Sequence, residues 1–368
     1  MIGVCIGVLG LVMLFVVLWD TFETIVLPRR VRRRVRLTRI FYRATWWLWA
    51  AIARRIASPT RRDAFLSAYG PLSLPLLLSV WAVILTLSFA MLHWGFATML
   101  MGPEGVANFG GALYMSGTTI FTLGIGDIAP HSTLGRFLTV AEAGTGLAFL
   151  ALVIGYLPVI YQAFSRREAS ISLLDARAGS PPTAAELLRR QAEDDGTDGL
   201  VQFLRDWERW SAELLESHLS YPVLAYYRSQ HDRESWLAAL TMVLDVCALI
   251  RVGIDGAPTR AAGLTFAMAR HAAVDLSQIF GTPPQLPSVD RLSPSDLLQL
   301  RAILAAAGMP LREGPDADQH LAAVRAKYEP YIHALAEHLL VALPPWMAPP
   351  DSVDDWQTSI WEHAATGG

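Results

Sequence analysis

The sequence predicts an all-α membrane protein in which three apolar helices are followed by a helical half outside the bilayer. Three observations carry this prediction. Of the 368 residues, 53% are apolar and only 17% charged, against roughly 25% charged in soluble domains. Three stretches are long and apolar enough to cross a bilayer of about 30 Å. Beyond residue 165, apolar residues recur at helical spacing with little strand character.

The first crossing, Ile2–Trp19, holds 18 residues and no charge, about 27 Å of helix at 1.5 Å per residue. It lacks a basic leading region and a small-residue cleavage site, so it is expected to be retained. The second runs from Pro71 to Met91, with Trp81 and Trp94 as candidate interface anchors. The third runs from about Leu134 to Phe164 and contains one acid, Glu142. Cys5 and Cys247 are too few for a disulfide framework and read as small core residues.

Charge sets the orientation. The twelve arginines from Arg29 to Arg62 face only Asp20, Glu23 and Asp63, so residues 1–67 carry +9 within a chain whose net charge is −3. Arg166 and Arg167 follow the third crossing, and the loop 93–133 has neither Lys nor Arg. The positive-inside rule puts the first loop and the C-terminal half in the cytoplasm, with the N-terminus and the 93–133 loop outside. A multi-pass protein of the plasma (inner) membrane is expected. The Arg29–Arg62 segment reads as a collar for anionic lipid. Nucleic acid is the weaker partner for it, because the basic excess sits beside apolar runs. A voltage sensor would space Arg at every third position within an apolar helix; these arginines are denser, lie outside any apolar run and follow Pro28. Phe41–Ile56, with Trp46, Trp47 and Trp49, reads as an amphipathic helix on the inner membrane surface.

Between the second and third crossings lies Ala112-Leu-Tyr-Met-Ser-Gly-Thr-Thr-Ile-Phe-Thr-Leu-Gly-Ile-Gly-Asp127. Carbonyl oxygens can replace a cation's hydration shell when several in succession point at one axis. Such a backbone visits conformations that a Cβ disfavours, and Gly124 and Gly126 supply the freedom at alternate positions. Thr122 can add a hydroxyl at the inner end and Asp127 a carboxylate at the outer end. The preceding dozen residues read as a short apolar helix whose C-terminal dipole end favours a cation.

Thr122-Leu-Gly-Ile-Gly-Asp127 resembles the selectivity filter of potassium channels, threonine–aliphatic–glycine–aromatic–glycine–aspartate. Pro130 and Leu134-Gly135-Arg136 resemble the short turn after the filter in channels of the two-helix pore-loop class. Glu142 and Gly146 stand where the inner helix of that family often carries an acid and a gating-hinge glycine, and Leu157-Pro158-Val159 resembles its proline kink. The resemblance covers roughly residues 71–164. It implies K+ sites made by the carbonyls of Thr122, Leu123, Gly124 and Ile125 with the Thr122 hydroxyl, and an outer mouth at Gly126 and Asp127. It also implies a homotetramer, since one such strand per chain cannot surround an ion. Two departures stand out. Ile125 replaces the usual Tyr or Phe, while Tyr114 and Met115 occupy pore-helix positions that are often aromatic; Phe121 replaces a small or hydroxyl residue.

Bland readings stand beside these. A Gly-x-Gly-Asp turn is usually just a loop in a soluble protein. Glu142 is either a helix-start residue near the outer interface or a brace behind the filter, the latter favoured because intramembrane acids are expensive. Gly144, Gly146 and Gly155 also read as close helix packing, and Pro158 as a kink.

In the C-terminal half, Thr183-Ala-Ala-Glu186 is a capping box. Phe203, Trp207, Trp210, Leu214 and Leu215 recur as a core stripe. Trp236–Ile254 is read as a buried bundle helix because it contains Asp245 and Arg251, with a fourth crossing as the alternative. A helix starts near Ser293–Ser295, another spans about Asp316–Leu343 with a bend at Pro330, and the Pro-rich 344–350 stretch reads as mobile. No Gly-x-Gly-x-x-Gly follows a strand, so the nucleotide-binding regulatory domain common beneath bacterial channels is not expected. His320, His333 and His338 are not spaced as a metal face. No catalytic constellation appears. One lysine against 29 arginines points to a high-GC bacterial source.

The sequence therefore divides into an N-terminal crossing (1–20), a basic interfacial segment (21–67), a pore domain (68–164) and a helical cytosolic domain (165–368). The expected function is passive K+ conduction without a cofactor. The alternatives are a weakly selective or Na+-permeable channel, or a non-conducting membrane scaffold.

Overall fold

The computed structural model of the chain describes residues 1–27, 36–103, 105–193, 197–229, 234–287, 289–349, 352 and 354. Arg29–Arg34, the densest part of the predicted basic collar, lies outside the described residues. The chain forms two compact units, Met1–Gln162 and Ala163–Gly368.

The first unit is an all-α membrane assembly. Helix α1 (Ile2–Thr21) continues as a π-helical turn, Phe22–Val26, so the apolar helix reaches beyond Trp19 to Val26. Its glycines let it lie directly on α4 (Tyr69–Gly95). A Cβ on Gly95 would stand 2.3 Å from the Gly7 nitrogen, and one on Gly10 would stand 2.8 Å from the Ser88 carbonyl oxygen. This is the small-residue packing by which membrane helices bring backbones together. The two helices run antiparallel, because Gly3 lies by Gly95 while Asp20, at the far end of α1, meets Trp81. Cys5, expected in a core, is exposed on α1.

Trp81 is fully buried rather than an interface anchor. Its Nε1 donates to Asp20 Oδ2 at 3.1 Å, and the Thr38 hydroxyl donates to the same oxygen at 2.6 Å. Arg36 stands 3.3 Å from Glu23. These contacts fix the start of α2 (Leu37–Ala53) to α1 and α4. Trp46 then packs on Tyr69 at 4.9 Å between ring centroids, and Trp49 stacks on Phe65 of α3 (Pro59–Ser67) at 4.3 Å. The expected surface helix is thus partly buried against its own unit, because its tryptophans find aromatic partners there.

A three-stranded sheet not foreseen from the sequence follows α4. β1 (Leu100–Gly102) pairs antiparallel with β2 (Gly105–Val106) on one side and with β3 (Ala129–Pro130) on the other. Between β2 and β3 runs α5 (Phe109–Ile120) with the Thr122–Asp127 segment. Leu100, Ala112 and Met115, joined by Ala107 and Ile128, form the small core under this sheet. Helix α6 (Thr133–Ser172) is continuous through Pro158 and longer than the expected crossing.

The second unit takes in the end of α6, α7 (Asp175–Ala178), α8 (Ala184–Glu193), α9 (Thr197–Ser220), a 3₁₀ turn at Pro222–Tyr226, α10 (Trp236–Gly253) and α11 (Thr259–Phe280). It closes with α12 (Pro294–Ala306), α13 (Pro315–Arg325) and α14 (Glu329–Leu339). α10 is apolar all round, as a fully enclosed helix should be. Its side chains from Trp236 to Ile250 are buried, and α8, α11, α13 and α14 pack against it. This enclosure favours the core reading over a fourth crossing. Asp245 in α10 accepts hydrogen bonds from Arg291 and Tyr328.

Both helix starts inferred from capping residues have a side-chain cap: Thr183 accepts from the Glu186 N–H, and Ser293 forms a full box with Asp296. Arg167 is not a free cytosolic charge; it is buried, donating to the Leu224 and Tyr227 carbonyls. The expected single helix over Asp316–Leu343 is two helices. The chain breaks at 326–328 because the residues before Pro330 are disfavoured in continuing helix. Nor is 344–349 free; residue 350 lies outside the described residues. Trp346 is buried under Arg291 and Arg325, and the Pro344 carbonyl accepts from Arg291.

Candidate ion-conduction site

Helix α5 begins at Asn108, whose side chain accepts from the Gly111 N–H at 3.0 Å. Asn is a preferred N-cap because it satisfies a donor that the helix cannot. Twelve residues later the helix ends, and the backbone takes an unusual course. Thr122 has φ +59°, Gly124 +57° and Gly126 +78°. Leu123 and Ile125, between them, stay on the negative side. A left-handed threonine costs about 1–2 kcal/mol, and such outliers concentrate where function demands them.

Alternation of this kind turns successive peptide units over, so N–H groups gather on one side and carbonyl oxygens on the other. It is the carbonyl counterpart of the backbone nests that hold anions. The hydrogen bonds fit that geometry. The Leu123 and Gly124 N–H groups both donate to the Thr118 carbonyl, at 2.8 and 3.2 Å, and the Thr122 N–H donates to Thr119. Among the described residues, the carbonyls of Thr122, Leu123, Gly124 and Ile125 accept no hydrogen bond, and all four residues are exposed in the single chain. Four oxygens in sequence are thereby left with no partner of their own.

Asp127 is exposed at the far end, and the Tyr114 hydroxyl from α5 lies near its carboxylate. The sequence position of Tyr114 alone did not reveal this proximity. The Ile125 side chain is 59% exposed and the Phe121 side chain 61%.

Glu142 is fully buried in α6. Its Oε2 lies 3.2 Å from His93 Nε2 of α4, and His93 Nδ1 lies 3.1 Å from the Thr98 hydroxyl. Glu142 therefore ties α4 and α6 together. His93, 49 residues away in sequence, carried no pattern that marked it. Gly146 meets the end of α5, where a Cβ would stand 2.3 Å from the Ile120 carbonyl oxygen. Close packing alone explains why no side chain fits there. Gly144 and Gly155 have open space around them within the chain. Pro158 lies within α6, near the end of the first unit.

Residues 76–162, which take in most of α4, all of α5, the Thr122–Asp127 segment and α6 as far as the unit boundary, match the family described as "Ion channel". The matched segment lies within the first unit. It does not extend to the C-terminal unit. The chain is also 24% identical over 210 residues to the uncharacterized membrane protein YdjJ of Bacillus subtilis, covering 56% of this chain and 60% of that relative. The chain thus spans about 60% of the relative's length. No solved structure matches the chain.

Proposed function

We propose that the protein conducts K+ passively through a central pore built by four copies of the chain. The observation that carries this reading is the run of unpartnered carbonyls at 122–125, produced by the alternating backbone at Thr122, Gly124 and Gly126. Carbonyl dipoles on one axis can compensate for the water that a cation loses. One strand supplies oxygens on one side only, so four subunits complete the shell. The Thr122 hydroxyl adds a ring at the inner end, Gly126 and Asp127 form the outer mouth, and Glu142, Gly146 and Pro158 shape the helices behind. The membrane orientation proposed with it has the N-terminus outside, the C-terminal unit in the cytoplasm and the Arg29–Arg62 segment on anionic lipid.

The exposed Ile125 and Phe121 favour a second reading, weak discrimination between K+ and Na+. A filter-wall aromatic with a hydroxyl could be tied to its surroundings, whereas Ile125 can hold only by packing.

Purified protein in planar bilayers separates the two readings. Under a K+/Na+ gradient, the K+ reading predicts a reversal potential close to the K+ equilibrium value and block by barium. A reversal potential near zero supports the weakly selective reading. Absence of any current from a correctly inserted tetramer rejects both.

A further inference from the structure

The second unit carries an open surface pocket of about 500 Å³ whose chemistry the proposed pore does not use. Arg251 comes from the last turn of α10, Gly263, Phe266, Arg270 and His271 from α11, and Lys327 from the break between α13 and α14. Lys327 is the one lysine in the chain. The Arg251 guanidinium lies over the Phe266 ring at 4.5 Å, and Arg270 Nε donates to the Lys327 carbonyl at 2.8 Å, which leaves its terminal nitrogens free of that bond. Gly263 also lines it and faces open space, since a Cβ there would meet nothing within 4 Å.

The charge is one-sided. Among the described residues, no carboxylate pairs with Arg251, Arg270 or Lys327, although the chain as a whole is acidic. The lining His271 has an acid beside it, Asp275 at 3.5 Å. Three other buried or half-buried arginines of this unit are paired: Arg291 with Asp245, Arg301 with Asp318, and Arg325 with Asp290 and Glu329. Three unpaired cations around one cavity repel each other, and an anion among them reverses the sign of that energy. Guanidinium forks suit phosphoryl oxygens, and an ammonium suits them as a point charge. The volume lies within the 300–1,000 Å³ range of small-molecule sites. A planar ring can stack on the guanidinium that already covers Phe266.

From this juxtaposition we infer that the cavity binds a small polyphosphate-bearing molecule, with a nucleoside di- or triphosphate as the best fit. The phosphoryl groups lie among Arg251, Arg270 and Lys327. The recognition differs from a glycine-rich phosphate loop: side-chain cations do the work.

The lone lysine gives a direct readout. Pyridoxal phosphate condenses with the Lys327 amine, releasing water, and borohydride fixes the imine as a secondary amine that mass spectrometry locates. On the full-length protein, pyrophosphate or ATP is expected to protect Lys327 from this label at millimolar concentration or below. Arg251→Gln and Arg270→Gln are each expected to raise the protecting concentration about tenfold, the worth of one charge-assisted hydrogen bond. Gly263→Leu, which fills the cavity without removing a charge, is expected to do the same. Protection by phosphoinositide vesicles but not by ATP assigns the same site to a lipid headgroup. If none of these probes protects Lys327 at about 10 mM, where binding energy is under about 3 kcal/mol, the inference fails. Protection that is unchanged in both arginine variants overturns it equally.

Discussion

Helices α6 and α10 are both apolar enough to cross a membrane, yet they are built for different surroundings. Along α6, Phe137, Val140, Leu147, Ile154 and Tyr161 stand more than 60% exposed in the single chain. Along α10 almost every side chain is covered by neighbouring helices. Each carries a buried acid, and the acids differ in the same sense. Asp245 in α10 has an arginine and a tyrosine hydroxyl, whereas Glu142 in α6 has His93. Composition cannot separate a core helix from a spanning one; the partners supplied to its polar atoms and the cover over its apolar ones can.

The largest test of this contrast lies in the backbone beside α6. Gly124→Ala places a Cβ at φ +57°, at a cost of about 1 kcal/mol per subunit and about 4 over a ring of four. K+ flux through proteoliposomes is expected to vanish while the assembled protein keeps its size on gel filtration. Retained flux would show that the carbonyls at 122–125 do not line the path. The next effect belongs to α10. Arg291→Met strands Asp245 in an apolar interior and is expected to destabilise the second unit by about 3 kcal/mol, read as a lower denaturation midpoint. Adding Asp245→Asn should recover part of that loss.

The same acid gives a pH test. Burial raises the Asp245 carboxyl to about 6, above its unfolded value. Its contribution to stability is therefore complete below about pH 4 and lost as pH rises through 6. Asp245→Asn should remove that slope.

How much of this was legible follows the range of the interaction. The crossings announced themselves by composition, and the glycines of Thr122–Asp127 by spacing, because both are local signals. Thr183 and Ser293 were readable as caps for the same reason. What was missed is pairwise and distant. His93 meets Glu142 across 49 positions, Trp81 meets Asp20 across 61, and neither pair has a periodic signature. The short strands β1–β3 are too brief for alternation to register. The Gly3 and Gly7 spacing was present in the sequence but became informative only once Gly95 was seen against it.

Two smaller effects sharpen the picture of the first unit. Gly95→Ala would drive a Cβ to within 2.3 Å of the Gly7 nitrogen, forcing α1 and α4 apart at a cost of about 2 kcal/mol. Disulfide trapping of Cys pairs placed across that contact should slow. Tyr114→Phe removes the hydroxyl near Asp127, a loss of about 1 kcal/mol. The permeability ratio of K+ to Na+ should fall several-fold with assembly intact.

The pairing of β1 with β3 has a mechanical meaning. It staples Leu100–Met101 to Ala129–Pro130, so everything between them is a closed loop held at its neck. The segment that would touch the ion is therefore held twice, at the neck by strand hydrogen bonds and at α5 by packing against α4 and α6.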